Sequence, residues 1–164
     1  MVKTTETKTE PHLEKFERFE RETAQPSWLY PLRKSGIARF AELGFPTINQ
    51  EDWRFTNVTP IAKLPFKPAL QPATNGLSRQ SLEQYTFATL SACRLVFVDG
   101  HYVADLSSPG NQDRGIIVCN LAQALVSNTE LVQKHLARYV AGEGNAFAAL
   151  NTAFFADGAI GLCH

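Results

Sequence analysis

Three observations predict an α+β fold, with helices gathered around a small sheet that contains a β-hairpin. Apolar stripes at helical spacing run through the first third of the chain. Two β-rich runs in its middle flank an Asp-Gly pair. A tightly determined elbow, Leu43-Gly44-Phe45-Pro46-Thr47 followed by Glu51-Asp52-Trp53-Arg54-Phe55-Thr56, fixes how the early helices meet the rest of the chain. At 164 residues the chain is the size of one domain and long enough to bury a core.

Residues 1–9 are polar, without apolar periodicity, and read as a tail. From Pro11 to Thr23 the pattern is helical: Leu13, Phe16 and Phe19 recur at i+3, and Glu14–Arg18 and Glu17–Arg21 are i, i+4 pairs in the favourable order. Pro26 ends that helix, Ser27 is the expected N-cap of the next, and Pro31 falls in its first turn. Leu29, Leu32, Gly36, Phe40 and Leu43 then form a stripe that Ile37 widens.

Gly44 stands where a helix C′ residue takes positive φ without a Cβ clash, and Pro46 cannot continue the helix. Thr47 and Gln50 match a capping box for a new helix, whose first turn would carry Glu51 and Asp52 at the favourable end of its dipole. Trp53 and Phe55 are expected to anchor it, each able to bury about 150–250 Å². Pro60, Pro65, Pro68 and Pro72 predict an extended connector, and a short helix is expected near Ser78–Tyr85.

Arg94–Val98 and His101–Leu106, joined by Asp99-Gly100, predict a hairpin with a type I′ turn. Gly115–Cys119 reads as a short buried strand, and Asn120 as the cap of a helix through Leu125. A further helix is expected from Asn128 through Leu131, Val132, Leu136, Tyr139 and Val140, ended by Gly142 and Gly144. Asn145 opens a last helix with Phe147, Leu150 and Phe154 on one face, stopped by Asp157-Gly158. Ala159–His164 reads as a strand just begun, with no partner for it in sequence order. The organisation expected is a polar tail and amphipathic helix over 1–26, a main domain over 27–157, and a final strand over 158–164.

Composition narrows function. Sixteen basic and sixteen acidic residues leave no net charge, which argues against a nucleic-acid binder. No apolar run approaches the ~18 residues a membrane span needs, and the polar N-terminus lacks the apolar core of a secretory signal. Three widely spaced cysteines do not make a disulfide framework, so a reduced, cytoplasmic setting is expected.

Candidate chemistry is sparse. Cys93, Cys119 and Cys163 have no close pair of the kind that brings two thiolates to one ion, and they read as structural thiols. Cys163-His164 is adjacent, but neighbouring strand residues face opposite ways. Glu51 and Asp52 point about 100° apart on a helix and are explained by its dipole. His101 and His135 have no Ser, Cys or Asp placed to make a triad, and no phosphate-binding glycine loop is present. Asn151, beside the apolar face of the last helix, is expected to bond a neighbouring loop. The reading is therefore of a non-enzyme: no catalytic, cofactor-binding or metal-ligating residue is assigned.

Three segments, taken together and in order, resemble a known family. They are Pro26-Ser27-Trp28-Leu29 through Trp53-Arg54-Phe55-Thr56, the hairpin Arg94–Val103, and Phe147–Phe154 with Asp157-Gly158. They are similar to the N-terminal part of the SufB/SufD family of iron–sulfur cluster assembly proteins. The Gly-Phe-Pro-Thr and Trp-Arg-Phe-Thr spacing resembles the SufD branch more than the SufB branch. Residues 27–164 carry the resemblance, and 1–26 do not.

The resemblance implies a scaffold subunit that works with SufB and the ATPase SufC in a SufBCD complex. It also implies a continuation as a right-handed parallel β-helix, so that this chain would end at the β-helix's first strand. The cluster and the ATP would be handled by the assembled complex, with ATP on SufC. The family's iron- and sulfur-handling residues would lie beyond His164, so no cofactor is expected in this chain. Two other readings compete. One is a free-standing interaction module offering the Leu13/Phe16/Phe19 face to a partner helix. The other is a small metal-dependent enzyme built from Cys163, His164 and His101.

Overall fold

The computed structural model describes residues 10–87, 93–110, 115–140 and 144–163. In chain order the elements are α1 (Glu10–Glu22), α2 (Leu29–Leu43), α3 (Thr59–Ala62), α4 (Arg79–Leu82), β1 (Phe97–Val98), β2 (His101–Tyr102), β3 (Ile116–Asn120), α5 (Leu121–Ser127), α6 (Thr129–His135), α7 (Ala146–Phe154) and β4 (Ala159–Cys163). Single 3-10 turns lie at Glu51–Trp53, Glu83–Tyr85 and Ala104–Leu106. The described residues are thus α+β, with seven α-helices and two two-stranded antiparallel sheets, β1–β2 and β3–β4. The chain divides into two units. One comprises residues up to Pro68 together with His135–Phe155; the other comprises Ala69–Lys134 together with Ala156 onward.

The first unit is helical. On α1, His12, Phe16 and Phe19 are buried while Leu13 is 38% exposed. The buried stripe therefore lies on the other side of Phe16 from the one expected: at 100° per residue His12 and Phe19 fall together and Leu13 falls outside. On the outer face Arg18, expected to pair with Glu14, reaches forward to Glu22 at 2.7 Å. Phe16 meets Phe154 edge-on, with ring centroids 6.0 Å apart, so α1 docks within its own unit.

α2 starts without a side-chain cap. Ser27 contributes its backbone carbonyl to Tyr30 N–H, and Trp28 takes the cap position. Its end is as expected: Gly44 takes φ +63° and donates its N–H to the Phe40 carbonyl at 2.8 Å.

α2 packs closely on α7 at Gly36. A Cβ placed on Gly36 would stand 2.8 Å from the Ala149 carbonyl oxygen and 2.9 Å from the Ala153 nitrogen. The matching face of α7 is small: Ala146, Ala149 and Ala153 are buried, and Leu150 and Phe154 flank them. The expected Phe147/Leu150/Phe154 face is thus the shoulder of the contact, because backbones this close admit only small side chains between them. Asn145 caps α7, its side-chain oxygen accepting Ala148 N–H at 3.0 Å. Asn151 is exposed.

The elbow is half as anchored as expected. Phe45 packs on Phe40 and Phe147, and Trp53 on Phe147 at 5.4 Å, but Phe55 is 92% exposed. The new helix is a single 3-10 turn, and Thr47 and Gln50 join through their backbones at 3.0 Å instead of forming a capping box. So short an element presents one side to the core, and Trp53 occupies it. Pro60 lies in the first turn of α3, where a missing N–H costs nothing, so the connector is less extended than four prolines suggest.

The second unit opens with α4, capped by Ser78 in a complete capping box with Ser81, and continues into the 3-10 turn to Tyr85. The hairpin forms in the expected register, Phe97 opposite Tyr102 and Val98 opposite His101. Asp99 at φ 51° and Gly100 at φ 82° give the two left-handed residues of a type I′ turn. The ladder is short because Ala104–Leu106 turns into a 3-10 segment, held by Ser107 Oγ, which donates to the Val103 carbonyl and accepts Val96 N–H.

β4 corrects the expectation of an unpartnered final strand. It lies antiparallel to β3, from Ile116 opposite Cys163 to Asn120 opposite Ala159, and no parallel coil is shown. The open edge of β3 has backbone groups to satisfy, and the turn at Asp157-Gly158 returns the chain along it. α5 runs to Ser127 as one helix, whereas α6 stops at His135 instead of continuing to Val140. Tyr139 and Val140 are 78% and 68% exposed, so no apolar face extends α6. Gly142 and residues 1–9 lie outside the described residues.

Candidate functional site

The polar groups most able to carry chemistry are bound into structure. Asp157 in the second unit is the clearest case. Its Oδ1 accepts Ala122 N–H at 2.8 Å and its own neighbour's N–H, Gly158, at 2.9 Å. Its Oδ2 accepts Asn120 Nδ2 at 2.9 Å and Tyr102 N–H at 3.3 Å. The carboxylate thus caps α5 from a distant part of the sequence, where negative charge is favoured by the free N–H groups. Asn120, expected to cap α5 with its side chain, holds the true cap in place instead.

Cys119, buried in β3, has its thiol pushed up from its ordinary range, first by burial and then by the Asp157 charge. Thiolate is disfavoured there, which is the opposite of what nucleophilic or metal-ligating cysteine needs. Cys93 is exposed. The Cys163 side chain and all of His164 lie outside the described residues. His101 Nε2 pairs with the Ala69 carbonyl at 2.8 Å, tying the hairpin to the preceding connector, as Asp99 does by accepting Ala73 N–H at 3.0 Å. His135 Nδ1 meets the Tyr139 hydroxyl at 2.7 Å on an exposed turn. Glu51 and Asp52 are exposed at the start of their 3-10 turn. Among the described residues no group of three His, Cys, Asp or Glu side chains is close enough to hold a metal ion.

In the first unit the feature that sequence reading missed is Arg33. It is 1% exposed, donating to Glu20 Oε1 at 2.8 Å and to the Phe155 carbonyl at 2.6 Å. Its guanidinium also lies 5.0 Å from the Phe19 ring centre and 5.1 Å from that of Phe155. One charge thereby joins α1, α2 and the residue that follows α7. The available signal was Arg33 on the apolar side of α2, between Leu29 and Ile37, which a solvated arginine would not occupy.

A depression of about 560 Å³ runs over the α5–α6 junction from Val126 to Lys134. Its Ser127 and Thr129 hydroxyls donate to the Gln123 and Leu125 carbonyls, and its ionisable lining is Glu130 and Lys134 alone. No helix among the described residues is long and apolar enough to cross a membrane.

Comparison with known proteins supplies what the side chains do not. The family described as SufBD protein N-terminal region matches residues 9–161. The chain is 27% identical over 154 residues to the iron-sulfur cluster assembly SufBD family protein ABCI8, chloroplastic, of Arabidopsis thaliana, covering 82% of this chain and 26% of that protein. It is 25% identical over 152 residues to the Arabidopsis SufBD family protein ABCI9, covering 82% of this chain and 32% of that one. A shorter stretch of 44 residues is 48% identical to the SufBD family protein slr0074 of Synechocystis, 27% of this chain and 9% of the relative. The chain spans about a third or less of the length of these curated relatives. With the match running from before α1 into β4, this chain belongs to the SufBD protein family and presents its N-terminal region.

Proposed function

We propose that the chain serves iron–sulfur cluster assembly as the N-terminal module of a SufD-like scaffold subunit. The observation that carries this reading is the family match over residues 9–161, joined to relatives whose names assign them to iron–sulfur cluster assembly. The Gly44-Phe45-Pro46-Thr47 and Trp53-Arg54-Phe55-Thr56 spacing favours the SufD branch within it. The module itself is non-catalytic and holds no cofactor. SufB and SufC are its partners through the longer protein, which the resemblance extends as a parallel β-helix. The setting is the cytoplasm, or a chloroplast-type compartment such as the one named for ABCI8.

The structural support is that Arg33, Asp157 and Asn120 hold helices and strands together instead of converging on an open cavity. The reading of a free-standing interaction module loses its proposed contact face, since Phe16 and Phe19 are buried within the first unit.

The test is a chimera in which residues 10–161 replace the matching region of a full-length SufD, expressed in cells that depend on that protein for cluster supply. Restored activity of iron–sulfur reporter enzymes is the expected result. Failure of a stably folded chimera that still assembles with SufB and SufC would overturn the SufD assignment. Anaerobic incubation of the purified chain with ferrous iron and sulfide, followed by desalting, is expected to leave no bound cluster. Stoichiometric retention would refute the non-catalytic scaffold role.

A further inference from the structure

His12 sits in the first unit where a cation is poorly tolerated. Its ring is buried between Phe40 of α2 and Phe45 of the elbow, with centroids 5.3 and 5.5 Å away. Its Nδ1 is fully enclosed and has no hydrogen-bond partner. A neutral imidazole accommodates this by carrying its proton on the other nitrogen. Protonation adds a donor at Nδ1, where no acceptor stands among the described residues.

Among the described residues the charges around it give no relief. Lys15, on the same helix, opposes a second positive charge. On α2, Arg39 and Glu42 are paired with each other at 2.7 Å. The elbow from Leu43 to Thr47 and all of α7 contain no ionisable side chain.

We propose that His12 is a proton-operated release for α1: in mild acid its protonation loosens the N-terminal turns of the helix from α2 and the elbow. Burial first, and Lys15 second, hold its pKa below the ordinary value of 6.5. A histidine with a depressed folded-state pKa supports the docked form fully above about pH 6.5. It withdraws that support as pH falls from there toward the folded pKa. Inside that window the docking constant falls by up to about tenfold per pH unit. Phe16, Phe19 and the Glu20–Arg33 pair still hold the later turns, so release begins at the N-terminal end of α1. What it uncovers is aromatic: the Phe40 and Phe45 rings that His12 covers.

Hydrogen exchange of the whole chain between pH 7.5 and 5, corrected for intrinsic rates, tests this. Amide protection in the first half of α1 is expected to fall progressively below pH 6.5, by up to about tenfold per pH unit, while the α2–α7 core is unchanged. In His12→Phe, which keeps a ring in the slot, that pH dependence should vanish. Carbon-13 titration of the His12 ring in the unmodified chain is the second readout and needs no variant. A midpoint at or above 6.5, or equal acid loosening of α1 in His12→Phe, overturns the proposal.

Discussion

Replacing Gly36 with alanine is expected to destabilise the helical unit, although the same change in an open helix would strengthen it. The propensity gain for glycine to alanine inside a helix is about 0.8–1.0 kcal/mol. At Gly36 the new methyl meets the Ala149 carbonyl oxygen at 2.8 Å, the Ala153 nitrogen at 2.9 Å and Thr152 Cβ at 3.0 Å. Two of those atoms are backbone, so no rotamer change relieves the contact and α7 itself has to move. Overpacking of this kind costs about 1–3 kcal/mol, and the backbone contacts place it in the upper half. The net expectation is a loss of about 1–2 kcal/mol and a fall of at least about 4 °C in the unit's midpoint. Trp28 and Trp53 are the chain's two tryptophans and both lie in this unit, so their fluorescence during urea or thermal unfolding reports on it directly. A Gly36→Ala protein as stable as the original, or more so, would refute the close approach of α2 and α7.

Glu20→Ala is expected to cost about 2–4 kcal/mol by stranding the buried Arg33 charge, with the double change Glu20→Ala/Arg33→Met recovering part of it; urea midpoints of the three proteins decide this. Asp157→Ala removes the acceptor for four donors and should lower stability of the second unit by about 2–3 kcal/mol, read as lost amide protection in α5 and β3. Deleting residues 1–24 should destabilise the first unit, because Phe16 and Phe19 each bury side chains worth about 1.5–3 kcal/mol; an unchanged fluorescence midpoint would revive the exposed-face reading. Under native conditions iodoacetamide should label Cys93 well before Cys119, as followed by peptide mass spectrometry; equal rates would contradict the burial of Cys119 in β3.

What was legible in the sequence was local. The Gly44 helix stop, the Asp99-Gly100 turn, the Ser78 start and the Asn145 cap each depend on residues within four positions of one another, and each formed. Failures occurred where a partner distant in sequence decided the outcome. Phe55 reads as an anchor by composition, but a one-turn element turns one aromatic toward the core, and the half-buried Trp53 takes that place. Leu13 and His12 compete for the same edge of α1, and the Phe40–Phe45 slot settled that in favour of His12. β4 had no visible partner because β3 lies some forty residues back across three helices. Of the candidate residues, Cys119 is buried in β3, Cys93 is exposed, and His101 ties the hairpin to the preceding connector. The Arg33 hub was not anticipated, since its two partners stand 13 and 122 positions away.

Those long-range partners explain why the stretch around Phe155 and Asp157 matters more than its composition suggests. Phe155 gives its carbonyl to Arg33 and its ring to the same guanidinium, closing the first unit. Asp157 caps α5 and holds Asn120, closing the second. In each case a group that could have served catalysis is committed to hydrogen bonds that fix geometry: two from the Arg33 guanidinium and four to the Asp157 carboxylate. A carboxylate accepting four donors has no lone pair conveniently left for a substrate proton, and a guanidinium at 1% exposure cannot meet an anion from solution. Such commitments are the structural support for the scaffold role proposed above. They also explain why the helix stop expected at Asp157-Gly158 was placed a few residues late: α7 has already ended at Phe154, and the acid that seemed to end it is capping a different helix.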